Sequence, residues 1–214
     1  ILEPQNFVLS INALAAPDVQ VVKFHSVPYD FHPRFDCIAR EYEYLILQSR
    51  SASLFLSPYV WQIPEPIRLI EFAHELTDLK GEHNFEAFTK VKNQENQKKR
   101  YIDKLELSQK LDPLSGQVLS SVQIRGNAFL HNMIRIIIGS FVDRAAGRLT
   151  MTLRDIIESK DRRLAGHTAP PYALYMRAAY YPEVADLETT GLSLLKDYPV
   201  FGNSLFKQKL LKLN

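Results

Sequence analysis

The sequence predicts an α+β fold: a ferredoxin-like βαββαβ domain with an antiparallel sheet, preceded by the end of a similar domain. Three observations lead there. From Ala39 to Tyr181 the patterning runs strand, helix, strand, strand, helix, strand, with one extra short helix. The two middle strands are joined by a short turn containing Pro113 and Gly116, which makes them a hairpin. The composition, 46% hydrophobic and 23% charged over 214 residues, is that of a globular chain able to bury a core, and not of a disordered or fibrous one.

Taken in order, Val19 to Phe24 reads as a strand after a Pro17-Asp18 turn, and Pro28 and Pro33 bracket an irregular stretch. Ala39 to Gln48 (AREYEYLILQ) alternates large residues and reads as a strand. Ser49 to Glu65 reads as loop, with Pro58 and Pro64 inside it. Ile67 to Leu79 sets Ile67, Leu69, Ile70, Phe72, Ala73, Leu76 and Leu79 at near-helical spacing, with Pro66 at the start and Gly81 past the end. Tyr101 to Ser108 and Gln117 to Arg125 are the hairpin strands. Ala128 to Ala146 is the clearest helix, its apolar side formed by Phe129, Met133, Ile136, Ile137, Ser140 and Phe141, with Asn127 expected as its cap and Gly147 as its stop. Met151 to Ser159 is a shorter helix, and Leu174 to Tyr181 a strand ending at Pro182. The expected division is therefore 1–35 as the remnant of a preceding domain and linker, 36–182 as the βαββαβ domain, and 183–214 as a charged tail with a short basic helix from Ser204 to Leu213.

Several classes of protein are excluded. The lone Cys37 cannot form an internal disulfide or a cysteine-rich zinc site, and it fits a reducing compartment. No apolar run approaches the ~20 residues that span a bilayer; the most apolar stretch, Met133 to Ile138, contains Arg135. No secretory signal opens the chain, and a cytoplasmic location is expected. There is no glycine-rich phosphate loop and no Gly-x-Ser-x-Gly elbow, and the six histidines never fall as paired ligands on one helix turn.

Other features point toward chemistry. The net charge is only +2, but Lys90 to Lys104 holds six basic residues (Lys90, Lys92, Lys98, Lys99, Arg100, Lys104) against Glu95 and Asp103, the footprint expected where a phosphate backbone docks. Arg135 lies among Met, Ile and Phe, where a guanidinium needs a carboxylate, a phosphate or carbonyls as partners unless its stem carries it to the solvent edge. Tyr42 and Tyr44, two apart on a strand, face one side, where they either stack on a nucleobase or pack in the core. Leu174 alone reads as core.

Five segments in one order resemble the TruA-type tRNA pseudouridine synthases. Ser10 to Asp18 (SINALAAPD) resembles that family's Leu-Asn-Ala-Leu-Leu-Pro-x-Asp segment. Phe31 to Ile46 (FHPRFDCIAREYEYLI) resembles its Phe-His-Ala-Arg-Phe stretch and the Arg-x-Tyr-x-Tyr strand that follows. Gly81 to Phe88 (GEHNFEAF) is similar to the family's Gly-x-His-Asp-Phe-x-x-Phe turn, and Gly126 to Gly139 (GNAFLHNMIRIIIG) to its Asn-Ala-Phe-x-x-x-Met-Val-Arg helix. Ala165 to Pro182 (AGHTAPPYALYMRAAYYP) resembles the closing Pro-x-Gly-Leu-Tyr-Leu strand. Asn84, Ala173 and Met176 depart from the pattern, where Asp, Gly and a second Leu are usual.

The resemblance implies isomerisation of uridine to pseudouridine in the anticodon stem-loop of tRNA, without metal or cofactor, by a homodimer. It implies that Arg135 pairs with the nucleophilic Asp, that Tyr42 stacks on the target base and assists proton transfer, and that Leu174 packs against the pocket. It makes Arg34, Lys90, Lys92, Lys98, Lys99 and Arg100 candidate contacts to the RNA backbone. The family's Arg-Thr-Asp-Ala-Gly motif, which carries that Asp, does not occur in this sequence. The nucleophile is therefore expected upstream of Ile1, and these 214 residues alone are expected to be inactive. The alternative is a catalytically inactive RNA-binding or dimerisation module with the same fold.

Overall fold

The computed structural model describes residues 4–15, 19–22, 27–51, 53, 55–91, 98–112 and 116–181. The fold is mixed α/β, built on one six-stranded sheet. Strand β1 (Ala39–Gln48) lies at its centre, beside β5 (Val118–Gly126), which pairs in turn with β4 (Lys99–Leu111), and β4 with β3 (Gly81–Asn84). The other side of β1 is shared: its first half pairs with β6 (Leu174–Tyr180), its last three residues with β2 (Trp61–Ile63). All of these pairings are antiparallel except β1 with β2.

The alternation on β1 explains the layering. Tyr44 and Ile46 turn to the face that carries the helices and join a core with Met133, Ile136, Ile137, Phe141, Phe85 and Phe88. Leu45 and Leu47 turn to the other face and pack with Leu56, Val60 and Leu119. Glu41 and Glu43 share that second face. They are buried there, with Lys104 and Arg177 beside Glu41 and Ser121 donating to Glu43.

Helix α3 (Met133–Ala145) is the central helix of the core, nearly all of it buried. It ends at Gly147, whose φ of 71° is the left-handed stop glycine tolerates best. Helix α4 (Leu153–Ser159) opens with a capping box in which Thr152 and Asp155 satisfy each other's backbone N–H groups.

The structure corrects several sequence expectations. Helix α1 (Pro4–Leu14) occupies a stretch in which no element was expected. Val19 to Val22 form no strand; instead Asn12 accepts from the N–H of Val21 and donates to its C=O, at 2.7 and 2.8 Å. The helix expected over Ile67–Leu79 is a 3₁₀ turn, Leu69–Phe72, and a single short α2, Ala73–Thr77. Its apolar spacing still works, because Leu69, Leu76 and Leu79 are fully buried. Strands β2 and β3 fall where loop and turn were expected. Helix α3 starts at Met133 and not Ala128, and Asn127 does not cap it: its Oδ1 accepts from the N–H groups of Tyr101 and Ala128. Lys92 and the tail from Glu183 onward lie outside the described residues.

Candidate active site

At the N-terminal end of α3 the chain passes from β5 through the 127–132 turn and into the helix. Tyr42, Phe129, Leu130, His131, Asn132, Arg135 and Leu174 there line an open cavity of about 230 Å³. Strand β1 supplies Tyr42, β6 supplies Leu174 and α3 supplies Arg135, so three segments distant in sequence converge on one hollow. Tyr44, the other half of the tyrosine pair, is fully buried in the core, its hydroxyl donating to the carbonyl of Pro170 at 2.8 Å. Tyr42 is half-buried, and the edge of one ring meets the face of the other where it packs on Phe129, centroids 5.4 Å apart. Burial raises the Tyr42 phenol above its ordinary value, against a smaller opposing pull from Arg40, so it holds its proton at neutral pH.

Arg135 is half-buried, and its guanidinium is held from two sides. Nε donates to the carbonyl of Ala169 at 2.7 Å and Nη1 to Oδ1 of Asn132 at 3.0 Å. No carboxylate among the described residues ion-pairs with it. Of the five N–H donors of a guanidinium, the three others make no hydrogen bond among the described residues.

Behind Arg135, residues 165–170 run along α3 as a strap. The N–H of Ala169 donates to the carbonyl of Arg135, and that of Gly166 to Oγ of Ser140. The N–H and Nδ1–H of His167 both donate to Asp143, at 3.0 and 2.7 Å. Two glycines permit this approach: a Cβ on Gly139 would lie 1.9 Å from the carbonyl oxygen of His167, and one on Gly166 2.6 Å from Oδ2 of Asp143. Burial alone would raise the Asp143 carboxyl; the bonds from His167 and Arg148 outweigh it and hold the group below its ordinary value. A second, more open hollow of about 470 Å³, lined by Trp61, Asp143, Arg148 and His167 among others, lies at this far end of α3.

The basic residues divide. Arg34, Lys90 and Lys99 are exposed, and each belongs to the cavity end of the molecule. Arg40 donates to the carbonyls of both Arg34 and Asn127, Thr89 donates to the carbonyl of His131, and β4 opens beside the end of β5. Lys98 corrects the expectation of a surface contact: its side chain is buried and its ammonium is held by Glu86. Arg100 is half-buried and donates to the carbonyl of Lys99, and Lys104 is engaged with Glu41 and Gln123 on the opposite sheet face. Sequence reasoning missed Asn132, Phe129 and Ala169. The available signal was an Asn one turn before the half-buried Arg135.

Among the described residues, no group of three His, Cys, Asp or Glu side chains is placed to hold a metal ion, and no helix is long and apolar enough to cross a membrane. At one end of this mixed α/β fold, then, an aromatic-walled hollow meets a guanidinium with donors to spare. A family model described as tRNA pseudouridine synthase matches residues 76–182. The chain is 33% identical over 184 residues to tRNA pseudouridine synthase A 2 of Protochlamydia amoebophila, covering 85% of this chain and 68% of that protein. It is 37% identical over 177 residues to tRNA pseudouridine synthase A of Leptospira interrogans, covering 82% of this chain and 84% of that one. The chain belongs to the tRNA pseudouridine synthase family.

Proposed function

We propose that the protein isomerises uridine to pseudouridine in tRNA, at the cavity where Tyr42, Arg135 and Leu174 meet. The observation that carries the assignment is the guanidinium of Arg135, fixed on two sides and still able to donate three N–H bonds. The reaction needs no outside atoms. The N1–C1′ bond of the uridine breaks, the base turns, C5 bonds to C1′, the hydrogen on C5 leaves as a proton, and N1 gains one. In this reading the nucleophile is an Asp upstream of Ile1, supplied by the intact protein, and Arg135 orients it through parallel hydrogen bonds to both carboxylate oxygens. The flipped uracil stacks on Tyr42, with Leu174 closing the apolar side, and a phenol still protonated at neutral pH can donate to the base. Arg34, Lys90 and Lys99 contact the RNA backbone around the cavity mouth.

The same reading places the target uridines in the anticodon stem-loop, and takes residues 36–182 as a ferredoxin-like unit following a similar domain. It makes the working form a cytoplasmic homodimer. Tritium release from tRNA carrying [5-³H]uridine measures the step directly, because C5 loses its hydrogen. The intact protein should release tritium, and Arg135→Lys should nearly abolish release while filter-binding affinity for tRNA persists. Binding without release by the unmodified protein would instead identify an inactive RNA-binding module.

A further inference from the structure

We infer that Asn132 is a positioning residue for Arg135: it gives up the helix-capping role its place in the chain offers in order to aim the guanidinium. The inference rests on the site assignment just given and adds a residue to it. Asn132 stands directly before α3, where an Asn side chain ordinarily accepts from the free N–H groups of the first turn. It makes no such bond. Its backbone is instead left-handed, with φ 59° and ψ 6°, and Lys160 is the one other non-glycine residue with positive φ among those described. That conformation is uphill for an L-residue, and Asn is among the few side chains that adopt it readily.

The left-handed backbone accompanies a specific contact. Oδ1 of Asn132 accepts from Nη1 of Arg135 at 3.0 Å, and Nδ2 lies 3.2 Å from Nδ1 of His131. The orientation of the amide follows from chemistry, because a guanidinium only donates and so must face the oxygen. Ala169 holds Nε from the other side. The two acceptors fix the plane of the guanidinium, and with it the direction of the N–H groups left for the nucleophile. A neutral amide suits this task. A carboxylate in its place would form an ion pair with Arg135 and compete with the nucleophile for it.

Asn132→Gly separates positioning from folding. Glycine adopts the left-handed backbone more easily than Asn, so a purely structural role at the helix start predicts unchanged or higher stability and normal turnover. The positioning role predicts that, in the intact protein, single-turnover tritium release falls roughly 10- to 100-fold, the range expected for losing a hydrogen bond to a charged group. tRNA affinity should stay within about twofold and the thermal midpoint should not fall. A normal rate in Asn132→Gly, or a rate lost only together with stability or affinity, would overturn the inference. Arg135→Lys, run in parallel, separates the levels. If it abolishes turnover while Asn132→Gly is normal, only the role of Asn132 fails; if it too is near normal, the Arg135 assignment fails and the inference with it.

Discussion

The two ends of helix α3 carry the same kind of group, a charged side chain on a buried helix, and treat it in opposite ways. At the C-terminal end Asp143 is saturated: Arg148 donates to one oxygen, and the N–H and ring of His167 to the other. At the N-terminal end Arg135 is only half engaged, held by one amide oxygen and one carbonyl beside an open cavity. A buried charge with every partner supplied by its own chain is part of the scaffold. One left with spare donors in a hollow is arranged for something that arrives later. The strap 165–170 joins the two ends, so the saturated end helps to hold the cavity end in place.

Substitution at the two ends should therefore affect different measurements. Arg135→Lys is expected to have the largest effect, a fall of roughly 10²- to 10³-fold in single-turnover rate, typical of removing one preorganised electrostatic contact. Its thermal midpoint should move little, since the stem stays in place. Asp143→Ala should do the reverse: a loss of about 1–3 kcal/mol in stability, from donors left without their acceptor, with turnover reduced by less than the Arg135→Lys change. Chemical denaturation beside the tritium assay reads both. Equal losses of rate and stability in both variants would erase the distinction between the ends.

The same contrast extends to pH. The folded-state pKa of Asp143 is lowered, so its contribution to stability is fully present above the unfolded carboxylate value, about 4, and is lost as pH falls through the lower folded value. Stability measured from neutral pH downward should begin to fall below about pH 4, with the strap region losing amide-exchange protection first. In Asp143→Asn that acid-dependent component should shrink. An undiminished acid slope in Asn would assign it to other carboxylates.

How much of this was legible in the sequence depended on how local each cause was. Strands β1, β4, β5 and β6 are long and alternate, and their positions could be read within a few residues. Strands β2 and β3, of three and four residues, exist through pairing with β1 and β4, and nothing within Trp61–Ile63 or Gly81–Asn84 announces it. Arg135 was legible because a cation in an apolar helix is conspicuous. Asn132 was not, since an Asn at a helix start reads as an ordinary cap, and only the three-dimensional contact shows that it is not one. Charge was legible and its burial was not: Lys98 and Lys99 look alike in sequence, and the partner that buries the first, Glu86, lies twelve residues back.

That last pair yields the smallest and most discriminating prediction. Lys99 is exposed at the start of β4, while the neighbouring Lys98 is buried and ion-paired. A phosphate contact releases condensed counterions, so each one lost lowers the slope of log affinity against log salt by roughly 0.7–0.9. Lys99→Ala and Lys90→Ala should each reduce the slope by about that amount or a fraction of it, with a modest loss of tRNA affinity at low salt. Lys98→Ala should leave the slope unchanged and lower stability instead, because Glu86 loses the ammonium that it holds and the buried lysine stem leaves a gap. Filter-binding titrations at several salt concentrations, beside thermal melts, separate the two. If Lys98→Ala flattens the slope and Lys99→Ala does not, the chain around residue 98 must rearrange on meeting RNA, and the exposed cations at the cavity mouth are not those that contact the backbone.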